Sequence, residues 1–105
     1  MVIKETSIFT KQIQELASDD EYAEFQNNLI ENPKLGNLIK NSGGIRKVRM
    51  ATTGKGKSGG ARILYYWRKN EEQIFMLLAY SKSDIANITN AQLKILSQLV
   101  KEELQ

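Results

Sequence analysis

The sequence predicts an α+β domain of order β-α-α-β-β-β-α, with helices against one face of a largely antiparallel sheet. Three observations predict it. Consecutive β-rich segments fill most of residues 45–81. Segments with helical spacing and hydroxyl caps flank them on both sides. No repeat, linker or low-complexity tail divides the 105 residues, so 1–105 reads as one domain.

Residues 2–9 (VIKETSIF) are short and partly β-branched and predict a strand, and Thr10 to Ala17 a short helix. Ser18-Asp19-Asp20-Glu21 is an N-cap signature with acids that suit the helix dipole. Tyr22, Phe25, Leu29 and Ile30 then recur at helical spacing, and the helix should stop near Asn32-Pro33, because the residue before proline avoids the α region. Pro33 to Gly44 is a connector with an apolar patch at Leu35, Leu38 and Ile39. Ile45–Ala51 alternates cationic and apolar positions, Ala61–Lys69 is aromatic and β-branched, and Gln73–Ser81 is apolar on both faces, as in a central strand. Asn70-Glu71-Glu72 fits a hairpin turn. Thr89-Asn90 caps a last helix with Leu93, Leu96, Leu99, Val100 and Leu104 on one stripe. The uncovered face of the sheet is then open to a ligand.

Composition narrows the chemistry. There is no Cys and no His, which removes thiol nucleophiles, Ser-His-Asp triads, Cys/His zinc sites and histidine bases. No metal or cofactor is expected, and only a carboxylate metal site fits the composition. The apolar runs are too short to span a bilayer, and the start lacks a signal-peptide core, so a cytoplasmic location is expected.

The net charge of +3 hides an asymmetry: residues 1–32 carry −5, residues 33–69 carry ten cations and no acid, and residues 70–105 carry −2. A 37-residue stretch without a carboxylate suggests a surface that faces phosphate, most simply nucleic acid. Six of the seven glycines lie within 43–60, and the loop Thr52–Gly60 sets Lys55 and Lys57 among them. Such a loop suits close backbone approach to phosphate, although an exposed hairpin loop has the same composition. The segment also approximates a nucleotide phosphate loop, but that mechanism needs a helix directly after it, and a strongly β segment follows.

Strand alternation places Lys47 and Arg49 on one face with Ile45, and Arg46, Val48 and Met50 on the other. In a meander, Arg62 at the start of one strand meets Tyr80 and Lys82 at the end of the next. Arg49, Lys55, Lys57, Arg62, Tyr80 and Lys82 then converge on one rim. That set suits an anionic substrate and charge developing at phosphorus. Arg62 is the natural phosphate clamp. A lysine or a tyrosine can serve as base where neighbouring cations depress its pKa. Taken singly, Tyr80 also reads as an aromatic at the core's edge and Lys82 as a solvated strand end. Tyr65, Tyr66 and Trp67 read as core or sheet-surface residues.

The runs GGIRKVR (43–49), GKGKSGGARILYYW (54–67) and LLAYSK (77–82) resemble the HigB branch of the RelE-like toxins, as do Asn32 to Gly36 and the closing helix Asn90–Leu99. The resemblance covers nearly the whole chain. It implies a RelE-like fold and the toxin of a type II toxin–antitoxin pair, a metal-independent endoribonuclease (an mRNA interferase) that cleaves mRNA in the ribosomal A site and inhibits translation. The implied partners are the ribosome, its mRNA and a helix-turn-helix antitoxin of HigA type. Carried over by position, Arg62 contacts the scissile phosphate and Lys82 stabilises the leaving group or transition state. Lys55 and Lys57 match the loop of that branch. Lys47 and Arg49 match the basic strand pair that binds RNA, with Arg46 and Arg68 beside them. The tyrosine that some relatives carry near the C-terminus has no equivalent after residue 82, so the base is either Tyr80 or a lysine. Two other functions remain compatible: a gyrase-directed toxin of the ParE type, and an RNA-binding module without chemistry.

Overall fold

The computed structural model describes residues 1–52, 60–81 and 89–105. The chain runs β1 (Val2–Glu5), α1 (Ser7–Leu16), α2 (Asp19–Glu31), β2 (Asn37–Leu38), β3 (Ile45–Met50), β4 (Ala61–Arg68), β5 (Gln73–Ser81) and α3 (Asn90–Leu99), and α3 continues into a π turn over Val100–Leu104. One five-stranded sheet has the order β1-β5-β4-β3-β2. Its middle is the expected antiparallel meander β3-β4-β5. The α+β class and the largely antiparallel sheet are as the sequence predicts.

The N-terminal strand is shorter than expected and the first helix starts earlier. Thr6 ends β1 because its side chain caps α1, accepting from Phe9 N at 3.1 Å while donating to Leu77 O at 3.0 Å. Phe9, Ile13 and Leu16 are then buried at helical spacing, which outweighs the β-branched look of residues 2–9. The strand that remains pairs parallel to β5, Val2 opposite Gln73 through Glu5 opposite Met76. Ser18 and Glu21 form the capping box that the sequence announces. The helix it opens buries Phe25 and Leu29 but leaves Ile30 exposed.

Within the connector, Asn37–Leu38 adds a two-residue edge strand to β3. The fully buried Tyr65 pins this connector to the sheet. Its hydroxyl donates to Pro33 O at 2.7 Å and accepts from Gly36 N at 2.9 Å. Gly36 passes so close that a Cβ there would sit 2.8 Å from Lys47 O and 3.0 Å from the Tyr65 ring.

The core is split by the sheet. On one face, α1 and α2 bury Phe9, Ile13, Leu16, Phe25 and Leu29 against Met50, Ile63, Tyr65, Ile74 and Met76. On the other, Leu93, Leu96, Leu99, Val100 and Leu104 meet Ile45, Leu64, Leu77 and Tyr80. The expectation of helices on one face therefore holds for α1 and α2, while α3 packs on the face expected to be open. The register break between Leu64 and Tyr65 explains how that face becomes apolar enough. Leu64 pairs with Leu78 and Tyr65 with Met76, so Leu77 is the extra residue of a β-bulge and joins Leu78 on the α3 side. As the sequence predicts, β5 is an interior strand with apolar residues on both faces.

Candidate nucleic-acid interface

The α3 cluster covers only part of its face. Beyond it, one transverse row crosses three strands. Arg49 on β3 is opposite Arg62 on β4, and Arg62 is opposite Tyr80 on β5. Alternation sends all three side chains to the α3 side. Arg49 is exposed, Arg62 half-buried, and Tyr80 buried with its ring in the α3 cluster. The convergence expected of Arg49, Arg62 and Tyr80 is thus the geometry of the sheet. Lys47 stands two residues along β3 from Arg49, exposed and opposite Leu64.

At the adjoining position, Met50, Ala61 and Ser81 lie side by side. The chain therefore leaves Thr52, returns at Gly60 and leaves Ser81 at this same end of the sheet. Gly60 has φ +77° and no room for a Cβ against Met50 O, so only glycine brings the chain back into β4 there. Lys55, Lys57 and Lys82 fall outside the described residues.

Two cations are not brought to the row. Arg46 points to the opposite face, where its Nη1 donates to Gly36 O at 2.8 Å and helps Tyr65 hold the connector. Arg68 is paired with Gln73 at the far end of β4, about 20 Å from Arg62 at the usual strand rise. In the sequence Tyr65 reads only as a core or sheet-surface residue. Its hydroxyl is what ties Pro33–Gly36 to β4.

Among the described residues, the row's two charged groups, Arg49 and Arg62, are both cations. Two guanidiniums directly opposite each other repel, and a fold tolerates this most easily where an anion comes between them. Arginine's planar fork suits the non-bridging oxygens of a phosphodiester. Burial pushes the Tyr80 phenol above its ordinary value, and the Arg62 charge pulls it only partly back. The group therefore stays protonated at neutral pH, a hydrogen-bond and proton donor rather than the depressed base that neighbouring cations alone would make. Among the described residues, no group of three or more carboxylates lies close enough to hold a metal ion. Among the same residues, no helix is long and apolar enough to cross a membrane.

The row thus sets two arginines and a tyrosine side by side on an α+β sheet. Comparison with known proteins gives the chain's family. Residues 8–105 match the family model described as the RelE toxin of the RelE/RelB toxin–antitoxin system. The chain belongs to this RelE toxin family. A structural relative is E. coli toxin RelE in the free state, as a double arginine-to-alanine mutant. The match has a TM-score of 0.62 at 14% identity, over 90% of this chain and 96% of the other. At that identity the likeness is one of fold.

Proposed function

We propose that this chain is a ribosome-dependent mRNA endoribonuclease, the toxin of a type II pair, of the HigB branch and held in check by a helix-turn-helix antitoxin. The observation that carries this reading is the Arg49–Arg62–Tyr80 row at the end of the sheet where the lysine-bearing segments join. The reaction it suits is attack by a ribose 2′-OH on the adjacent phosphorus. The 2′ oxygen loses its proton, the P–O5′ bond breaks, and the departing 5′ oxygen takes a proton, leaving a 2′,3′-cyclic phosphate. Arg62 and Arg49 neutralise the extra charge on the phosphorane. Tyr80, protonated at neutral pH, is the acid toward the 5′ oxygen. The base then falls to a lysine among Lys55, Lys57 and Lys82. The ribosome holds the mRNA in line for attack, which supplies much of the rate.

The test is a cell-free translation reaction with mapped mRNA ends. The wild-type chain should cut within the A-site codon of translating mRNA and leave naked mRNA largely intact. A folded Arg62→Ala variant should cut neither and be non-toxic. Intact mRNA alongside continued translation would end this reading. A gyrase-directed toxin would instead block supercoiling and leave mRNA whole.

A further inference from the structure

We infer that the chain carries a second RNA-backbone site, separate from the cutting row, in the groove between α3 and the turn that precedes β3. The groove encloses about 460 Å³ and is lined by Lys40 and Asn41 on one side and by Asn90, Lys94, Gln98 and Lys101 of the last helix on the other. That size accommodates a phosphate with its ribose. The helical residues recur at three- and four-residue spacing, so they form one stripe along α3. Among the described residues the lining holds three lysines and no carboxylate. Glu102 and Glu103, the acids on the same helical end, lie outside it and are exposed.

The groove is held in shape. Asn41 sits in the left-handed region at φ 62°. Ser42 is buried, its Oγ donating to Ile39 O at 2.6 Å and accepting from Ile45 N at 3.0 Å. The Lys101 stem lies over Gly43, 3.2 Å from where a Cβ would be, and Gln105 Nε2 donates to Gly43 O at 2.6 Å. The exposed lysines and side-chain amides thus project from a hydrogen-bonded turn and a packed helix. Three lysines on a fixed turn and helix, with no acid in the lining among the described residues, fit a phosphodiester chain. The turn leads directly into β3, whose exposed Lys47 and Arg49 continue the cationic surface toward the cutting row.

The inference rests on the RNA-cutting reading only for the identity of the polymer. The test is the salt dependence of binding to 70S ribosomes programmed with mRNA, followed by pelleting, on an Arg62→Ala background that spares the message. Lys40→Gln/Lys94→Gln is compared with Lys11→Gln/Lys69→Gln, a pair of equal charge elsewhere. Losing two phosphate contacts should reduce the slope of log Kd against log [KCl] by about 1.4–1.8. Affinity at moderate salt should fall by about tenfold, because most of the binding term is electrostatic. With Arg62 restored, the cleavage rate at saturating toxin should not change. A slope and affinity equal to those of the control pair would overturn the inference. So would a lower saturated rate, which would place the lysines in the cutting row, or weakened binding of the antitoxin alone, which would assign the groove to an acidic protein. A parallel titration with a single-stranded RNA oligonucleotide separates the two sources of backbone: loss on both probes assigns the strand itself, loss on ribosomes alone assigns ribosomal RNA. A chain that binds ribosomes through these lysines yet cuts nothing would remove the nuclease reading and leave the groove. A chain that cuts, with binding indifferent to Lys40 and Lys94, would remove the groove alone.

Discussion

Arg49→Gln should make the protein more stable and less active. Arg49 and Arg62 are direct cross-strand neighbours on one face of the sheet. Their Cβ atoms are then about 5 Å apart. Two like charges at that separation repel by about 0.8 kcal/mol in bulk-water dielectric, and longer side chains that splay apart feel less. Relief of about 0.5 kcal/mol is the reasonable expectation, within the usual range for cross-strand pairs. In a domain of this size it corresponds to a rise of about 2–4 °C in melting temperature. Screening makes the prediction sharper. The gain should be present at 10 mM salt and largely absent at 1 M, where the Debye length is about 3 Å. Activity should move the other way. On the proposed reading, in which Arg49 neutralises charge on the phosphorane, its loss should lower single-turnover cleavage on programmed ribosomes by about 10- to 100-fold. The assay is thermal denaturation by circular dichroism at both salt concentrations, paired with the cleavage rate. A lower melting temperature at low salt, or a gain that survives 1 M salt, would refute the argument that Arg49 and Arg62 repel across the two strands.

Three further outcomes follow from particular contacts. Tyr65→Phe strands the buried Gly36 N–H and Pro33 C=O, and urea unfolding should show a loss of about 2–4 kcal/mol at unchanged m-value. Tyr80→Phe keeps the ring in the α3 cluster and removes only the hydroxyl, so single-turnover cleavage should fall by about 100-fold or more with ribosome affinity unchanged. A rate that is untouched would move the acid role elsewhere. Tyr22 donates to Glu5 at 2.6 Å, and its phenol is pushed well above the ordinary value, first by burial and then by that carboxylate. The folded state therefore holds the proton after the unfolded chain has released it, so this stabilisation is full below about pH 10 and is lost as pH rises beyond it. Tyr22→Phe should be about 0.5–1.5 kcal/mol less stable at pH 7, and the gap should narrow between pH 10 and higher values in alkaline denaturation curves.

Much of the local structure was legible because its signals sit within a few residues. The Ser18-to-Glu21 signature and the Thr89-Asn90 cap announce two helix starts, and both form, the second completed as a capping box by Gln92. The β3, β4 and β5 boundaries fall within one residue of the segments read from alternation and β-branching. The meeting of Arg49, Arg62 and Tyr80 also follows from the sequence once a meander is assumed, since period-two alternation and a short hairpin leave little freedom of register. The start of α1 is not written locally: Ile8 and Phe9 look β-forming in isolation, while the Thr6 cap and the burial of Phe9 depend on β5 and α2.

By itself, then, the sequence determined the α+β class, the order of its main elements, the placement of the cations on β3, β4 and the segment between them, and a family resemblance that places the chain among RelE-like toxins. Each of these depends on interactions that repeat along the chain or on composition. Tertiary structure alone decided which side of the sheet α3 covers. An apolar stripe of leucines fits either face, and the outcome depends on a bulge at Leu77 that no local pattern marks. It likewise turned Arg46 away from the row to bind Gly36 O, and joined Lys40 to Lys94 and Lys101, more than fifty residues on, across one groove. Contacts between residues so far apart depend on how whole elements pack, and packing energy is shared among many side chains rather than written at any one of them.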